Sequence, residues 1–201
     1  MIHAQEMENV LYGFLSQLND VRNSPKRLAD RIRRDLRRNF ANGDDSVNLC
    51  LSEDQRWDKD DITTCTYSET TYGGRRQWQA AEADLRDGRN SGGRERLEWS
   101  NALSQSCYDL LALQGPAGTT GHTGEDGSTF RERVNRYAES YTGIAETLGY
   151  MDEFGDLSWS MMKAMAVDDG VPSLDHRNIL FGRDWTNFGV SCGCHSSYTY
   201  A

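Results

Sequence analysis

The chain has 201 residues, with 22 basic and 31 acidic side chains and a net charge of −9 at neutral pH. That length suits one globular domain over 1–201, and five Trp, nine Tyr and six Phe can build a core although only 37% of residues are hydrophobic, so wholesale disorder is excluded. The longest aliphatic run, Leu110 to Leu113, falls far short of the roughly 20 residues that cross a bilayer, and the acidic balance argues against charge-driven binding to nucleic acid.

Residues 1–15 contain no Lys or Arg and carry Glu6 and Glu8 ahead of the apolar patch, unlike a secretory leader. The chain is expected to be either a mature, processed form or a cytosolic protein. N-terminal helices are expected over about 8–40. Val10, Leu11, Phe14, Leu15, Leu18 and Val21 share one helical face, which predicts a helix over 8–22. Ser24-Pro25 reads as an N-cap followed by a first helical residue, and Leu28, Ala29, Ile32, Leu36 and Phe40 form the next apolar stripe. The opposite face is basic: residues 22–38 hold eight basic and two acidic side chains, leaving −15 for the rest of the chain. Such a face is usually solvated, yet it gives the molecule a charge asymmetry.

Residues 41–75 are polar and rich in Asp, Gly and Thr, and read as a long connection with short extended pieces near Tyr67, Thr71 and Tyr72. A third helix is expected over about 76–87 around Trp78, Ala81 and Leu85, ended by Gly88. Ser100 should cap a fourth and central helix carrying Leu103, Cys107, Leu110, Leu111 and Gln114. Glycines at 115, 118, 121, 124 and 127 repeat every third residue, but five triplets with one Pro cannot hold a collagen helix, so a loop crowding around His122 is expected. Ser128 should cap a short helix with Phe130, Val134 and Tyr137, and Asp156 or Ser158 another running to Val167. Phe188, Val190, Cys192 and Cys194 alternate with small residues in the period of a strand.

Five cysteines, at 50, 65, 107, 192 and 194, show no C-x-x-C spacing. Cys50 and Cys65 flank the Asp-rich loop and could close it, whereas bridging Cys192 to Cys194 would need strained geometry. An odd count leaves one thiol free or intermolecular in an oxidising compartment, and disulfides and buried thiols both stay open. Nucleotide-binding, zinc-protease and serine-hydrolase motifs are absent. Of the four histidines, His3 is terminal and His195 ends the last strand. His122 and His176 lie in loop-like settings beside acids, where imidazole and carboxylate can hold a divalent metal, move protons or serve as structural hydrogen-bonding groups. Met161, Met162 and Met165 lie on one predicted helix, as core filling or as a lipid groove.

H-T-G-E-D-G-S at 122–128, R-V-N-R-Y at 133–137, D-D-G-V-P-S at 168–173, D-H-R-N-I-L at 175–180 and F-G-V-S-C-G-C-H at 188–195 follow one another in order. With L-N-D-V-R-N-S-P at 18–25 and L-E-W-S-N-A-L at 97–103, they resemble the SCP domain of the CAP superfamily (cysteine-rich secretory, antigen 5 and pathogenesis-related proteins), in its microbial branch, over about residues 8–198. The resemblance implies an α+β fold: a three-layer α-β-α sandwich with a central, mostly antiparallel sheet between helices. It implies a cleft in which His122, His176, Glu146 and either Asp168 or Asp169 converge, with Asp126, Ser128 and Arg177 in support. The chain departs from the family at Glu146, where Ala145 and Thr147 flank the acid in place of Gly and Asn. No cofactor is required, and a weakly bound divalent ion such as zinc would suit the cleft. The expected function is non-enzymatic: an extracellular binding protein, acting with protein partners or copies of itself in an assembly. The alternatives are a metal-dependent hydrolase using His122, His176 and Glu146, and a sterol or lipid carrier. A cytoplasmic or other intracellular location is the second choice of compartment.

Overall fold

A computed structural model describes residues 4–38, 40, 46–48, 68–151 and 157–198. His3, Cys50, Cys65, Tyr67 and Asp156, singled out above, lie outside these residues. In chain order the elements are α1 (Ala4–Asn23), α2 (Pro25–Arg38), β1 (Ser46–Asn48), β2 (Ser68–Thr70), α3 (Gly74–Asp87), β3 (Glu98–Trp99), α4 (Asn101–Ala117), α5 (Phe130–Asn135), α6 (Leu157–Val167), α7 (Asp175–Leu180) and β4 (Asn187–Phe188). No helix among the described residues is long and apolar enough to cross a membrane.

The expected three-layer sandwich is not the fold. Among the described residues there is no central antiparallel sheet: β1 pairs with β2 antiparallel over three residues, and β3 with β4 parallel over two. The predicted strand at 188–194 shows why. Its first residue, Phe188, pairs opposite Trp99 and Cys194 makes an isolated bridge, with no strand pairing over 189–193. The following chain runs along α4, where a side chain on Gly189 would collide with Leu103 and Ser104, and one on Gly193 would stand 2.9 Å from a Leu111 methyl carbon. A strand alternates because its two faces differ, and a backbone pressed onto a helix produces the same alternation without a partner strand.

The chain divides into two compact units. The first comprises Met1–Asn19, Glu95–Phe154 and Gly182–Ala201; the second comprises Asp20–Arg94 and Gly155–Phe181. In the first, Phe14 stacks on Phe188 at 5.7 Å, and Asn19 exchanges two hydrogen bonds with the backbone of Leu97 (2.7 and 3.0 Å). The Ser100 hydroxyl accepts the Leu103 N–H and starts α4, as the sequence suggested; Gly118, at φ +70°, ends it. The cap of α5 lies one residue later than expected. Ser128 donates its N–H to Asp126 in a turn (2.9 Å), and Thr129 forms a capping box with Glu132.

In the second unit, Leu28, Ala29, Ile32 and Leu36 of α2 and Trp78, Ala81 and Leu85 of α3 are buried. Each large aliphatic side chain so removed from water contributes about 1.5–3 kcal/mol. The ion pairs Lys26–Asp87, Asp30–Arg86 and Arg33–Glu82 follow the antiparallel order in which the apolar faces pack α2 on α3. Met162, Met165, Ala166 and Val167 of α6 are also buried, so that part of the Met-rich helix fills core. Ser158 lies inside α6 rather than capping it.

Candidate functional site

Each unit contains one histidine bonded to one carboxylate. In the first unit α4 ends at Gly118, and the glycine-rich chain beyond it uses positive φ at Gly121 (+109°) and Gly127 (+80°) to turn tightly. Gln114 on α4 holds that loop, donating to the carbonyls of Gly121 (2.6 Å) and Thr123 (3.2 Å). The Tyr150 hydroxyl donates to Gln114 Oε1 and accepts the Gly121 N–H, both at 3.0 Å. His195 grips the same loop: its Nε2 donates to the Thr119 carbonyl (2.8 Å), while its Nδ1 accepts the Ser197 N–H (3.2 Å).

His122 is thus presented on a braced backbone with its side chain 58% exposed, and its Nδ1 lies 2.8 Å from Glu146 Oε1. Behind Glu146 lies Arg133, fully buried on α5. Its Nη2 donates to Glu146 Oε2 (2.9 Å) and Oε1 (3.2 Å), its Nη1 to the Ser128 carbonyl (2.9 Å), and both reach the His122 carbonyl (3.2 Å). Both Glu146 oxygens are therefore occupied from within. Asp126 supports the turn: hydrogen bonds from Ser128, then Arg136, hold its carboxyl at about 2, below the ordinary 3.8.

In the second unit His176 lies in the first turn of α7, not in a loop. Its Nδ1 is 2.6 Å from Asp168 Oδ1, whose carboxylate is fully buried, and Asp168 Oδ2 accepts the Arg177 N–H (3.1 Å). Asp168 has the left-handed φ of +58°, which Asp tolerates better than most residues. The Arg177 guanidinium donates to the carbonyls of Ala166 and Val167, at the end of α6, and lies 3.6 Å from Asp84. Asp169 faces another way: its oxygens accept the N–H groups of Tyr72 and Gly73 (2.8 Å each) ahead of α3.

In each dyad the carboxylate faces Nδ1 and accepts its N–H; in the neutral imidazole that tautomer carries the lone pair on Nε2, the form that binds a metal. A zinc ion needs three or four protein ligands. Within either unit the dyad offers one free nitrogen, since its carboxylate oxygens are taken by Arg133 and His122 or by His176 and Arg177. Among the described residues no group of three or more His, Cys, Asp and Glu side chains could hold a metal ion. The residues as placed do not make a zinc site within either unit.

Two of the described thiols, Cys107 and Cys192, are not activated as nucleophiles. Burial, reinforced by the charge of Glu146, pushes Cys107 up to about 12, and burial pushes Cys192 up to about 11. Cys107, Cys192 and Cys194 are free thiols, the last exposed.

Sequence reasoning missed Arg133 as the organiser of the first dyad. Its position carried a signal: three residues after Phe130 and four before Tyr137, it falls on the apolar stripe of α5, where a cation must find a buried partner. Gln114, Tyr150 and Asp84 carry no comparable signal. Among known proteins, no family model, no curated protein and no solved structure matches this chain.

Proposed function

We propose that this protein acts by binding, as a subunit of a protein assembly outside the cell, and not by catalysis. The observation that carries this reading is the use of the dyad carboxylates. Glu146 neutralises a buried guanidinium and Asp168 bonds the start of α7, so neither is left to activate water or a nucleophile. The division of charge supports assembly. The first unit holds 13 acidic and 5 basic residues, a net of −8, whereas the second holds 18 acidic and 17 basic, a net of −1, with eight of its basic residues gathered at 22–38. The extracellular setting is supported by the motif resemblance to secreted SCP-domain proteins. A lipid groove along α6 is disfavoured by the burial of Met162 and Met165. The test is native mass spectrometry and sedimentation velocity on the full chain from 1 to 100 μM. A defined oligomer is expected, and a monomer throughout would overturn the reading.

One observation favours the hydrolase alternative: the exposed His122 imidazole, held by Glu146 with Nε2 free. Peptide, ester and glycan substrates would be screened with and without zinc, for the parent and for the His122→Ala/His176→Ala double variant. The binding reading expects no turnover from either; turnover lost in the variant would establish the hydrolase in its place.

A further inference from the structure

The outward face of α2 carries more positive charge than the fold of its unit requires. With Leu28, Ala29, Ile32 and Leu36 buried, Lys26, Arg27, Arg34 and Arg37 point to solvent along about 16 Å of helix, at 1.5 Å per residue. Their neighbours are engaged: Arg33 lies 2.6 Å from Glu82, and the Arg31 guanidinium sits 3.5 Å over the Trp159 ring. Asp30, the acid on this face, is bonded to Arg86 at 2.5 Å. Arg34 and Arg37 make no ion pair among the described residues. Lys26 and Arg27 stand in the first turn, the end where the helix dipole opposes cations, and reach Asp87 and Asp20 only at 4.0 Å in exposed pairs that contribute little. An acidic residue in that turn would serve the helix better.

We infer that this face of α2 is a docking surface, and that its occupant is the acidic first unit of a second copy of the chain. The inference rests on the binding reading above and names the surface. Charge complementarity selects the occupant. Every copy brings a unit at −8, opposite in sign to this face of α2 and present at the same concentration as the face itself. In that unit the exposed carboxylates of Glu95, Glu98, Glu125, Glu139 and Asp184 make no ion pair among the described residues. A contact between unlike surfaces is heterologous, so it repeats head to tail and gives rings or filaments.

The test is sedimentation velocity of the full chain at 50 mM and 0.5 M NaCl, with Arg34→Glu/Arg37→Glu and Glu95→Lys/Glu98→Lys as paired charge reversals. Helix content and thermal midpoint are measured alongside to confirm that each variant folds. The parent should assemble at low salt and fall apart at 0.5 M, where the screening length drops to about 4–5 Å. Each reversal should weaken self-association about tenfold or more, and an equimolar mixture of the two should restore it. Parent-like assembly of folded Arg34→Glu/Arg37→Glu overturns the docking surface and leaves the binding reading standing, as does parent assembly that ignores salt. If that variant loses retention on immobilised sulfated polysaccharide or DNA while its assembly is unchanged, the occupant is a polyanion and the inference is wrong. A parent that is monomeric at both salts removes the binding reading itself.

Discussion

The two histidine dyads share one contact, imidazole Nδ1 to a carboxylate more buried than the ring, in different settings. At His122 the imidazole is 58% exposed and the buried charge is a cation, Arg133, which Glu146 neutralises. At His176 the imidazole is 29% exposed and the buried charge is the carboxylate of Asp168, held by the imidazole and by the backbone at the start of α7. The first dyad presents its histidine to solvent from a braced loop; the second uses its histidine as part of the wall. A resemblance in sequence treats the two histidines alike, and the local burial separates them.

The largest effect should come from the buried cation. Arg133→Met removes the cation that neutralises the nearly buried Glu146 carboxylate, together with its bonds to the carbonyls of Ser128 and His122, and should cost about 3–5 kcal/mol in chemical denaturation. A cost under 1 kcal/mol would mean that Glu146 is held without it. Asp168→Ala should follow at about 2–4 kcal/mol, since it deprives the His176 ring and the Arg177 N–H of their acceptor and puts alanine at a left-handed φ. The histidines themselves should then diverge. His176→Ala should destabilise by about 1–2 kcal/mol and His122→Ala by less than about 0.5 kcal/mol, because one loses a buried hydrogen bond and the other an exposed one. Equal losses would remove the distinction between the dyads.

Two smaller tests sharpen the surroundings of the first dyad. Site-resolved alkylation of the folded chain at pH 8 should modify Cys194 first, then Cys192, and Cys107 most slowly, following the exposure of Cys194 and the upward push of burial on the half-buried other two. Early labelling of Cys107 would show that the back of the Arg133–Glu146 pair is open to water. Asp126→Asn should lower stability at neutral pH. Because folding depresses this carboxyl from 3.8 to about 2, its contribution is present above about pH 4 and is lost as pH falls through about 2. The stability difference between parent and variant should therefore vanish towards pH 2, and a constant difference would assign the effect to something other than ionisation.

Much of the helical frame was legible from periodicity and caps. Val21, Leu28, Ile32 and Leu85 lie where their stripes predicted, Ser100 caps α4, and Gly88 ends α3 through its N–H to the Asp84 carbonyl. The sheet was misread because Phe188 to Cys194 alternate for a reason other than strand pairing. Glycine at 189 and 193 lets the backbone lie against α4, and a period of two does not record which element makes the contact. The resemblance implied one cleft set of His122, His176, Glu146 and either Asp168 or Asp169, without saying which acid bonds which histidine. Which member of each pair is buried was not in the motifs, since burial depends on the neighbouring elements rather than on the residues themselves.

The sequence by itself determined the longer helices α1 to α4, their apolar stripes and the basic face of α2, because each follows from the order of side chains along a few turns. Only the tertiary structure decided that the glycines of 189–193 meet a helix and that Arg133, Glu146 and His122 form one chain of contacts. It likewise decided that Asp169 holds the backbone of Tyr72 and Gly73 ahead of α3 while Asp168 bonds His176. Each of these joins residues far apart in sequence. Their outcome turns on desolvation, and whether a charge finds water or a partner is settled only when the chain has folded around it.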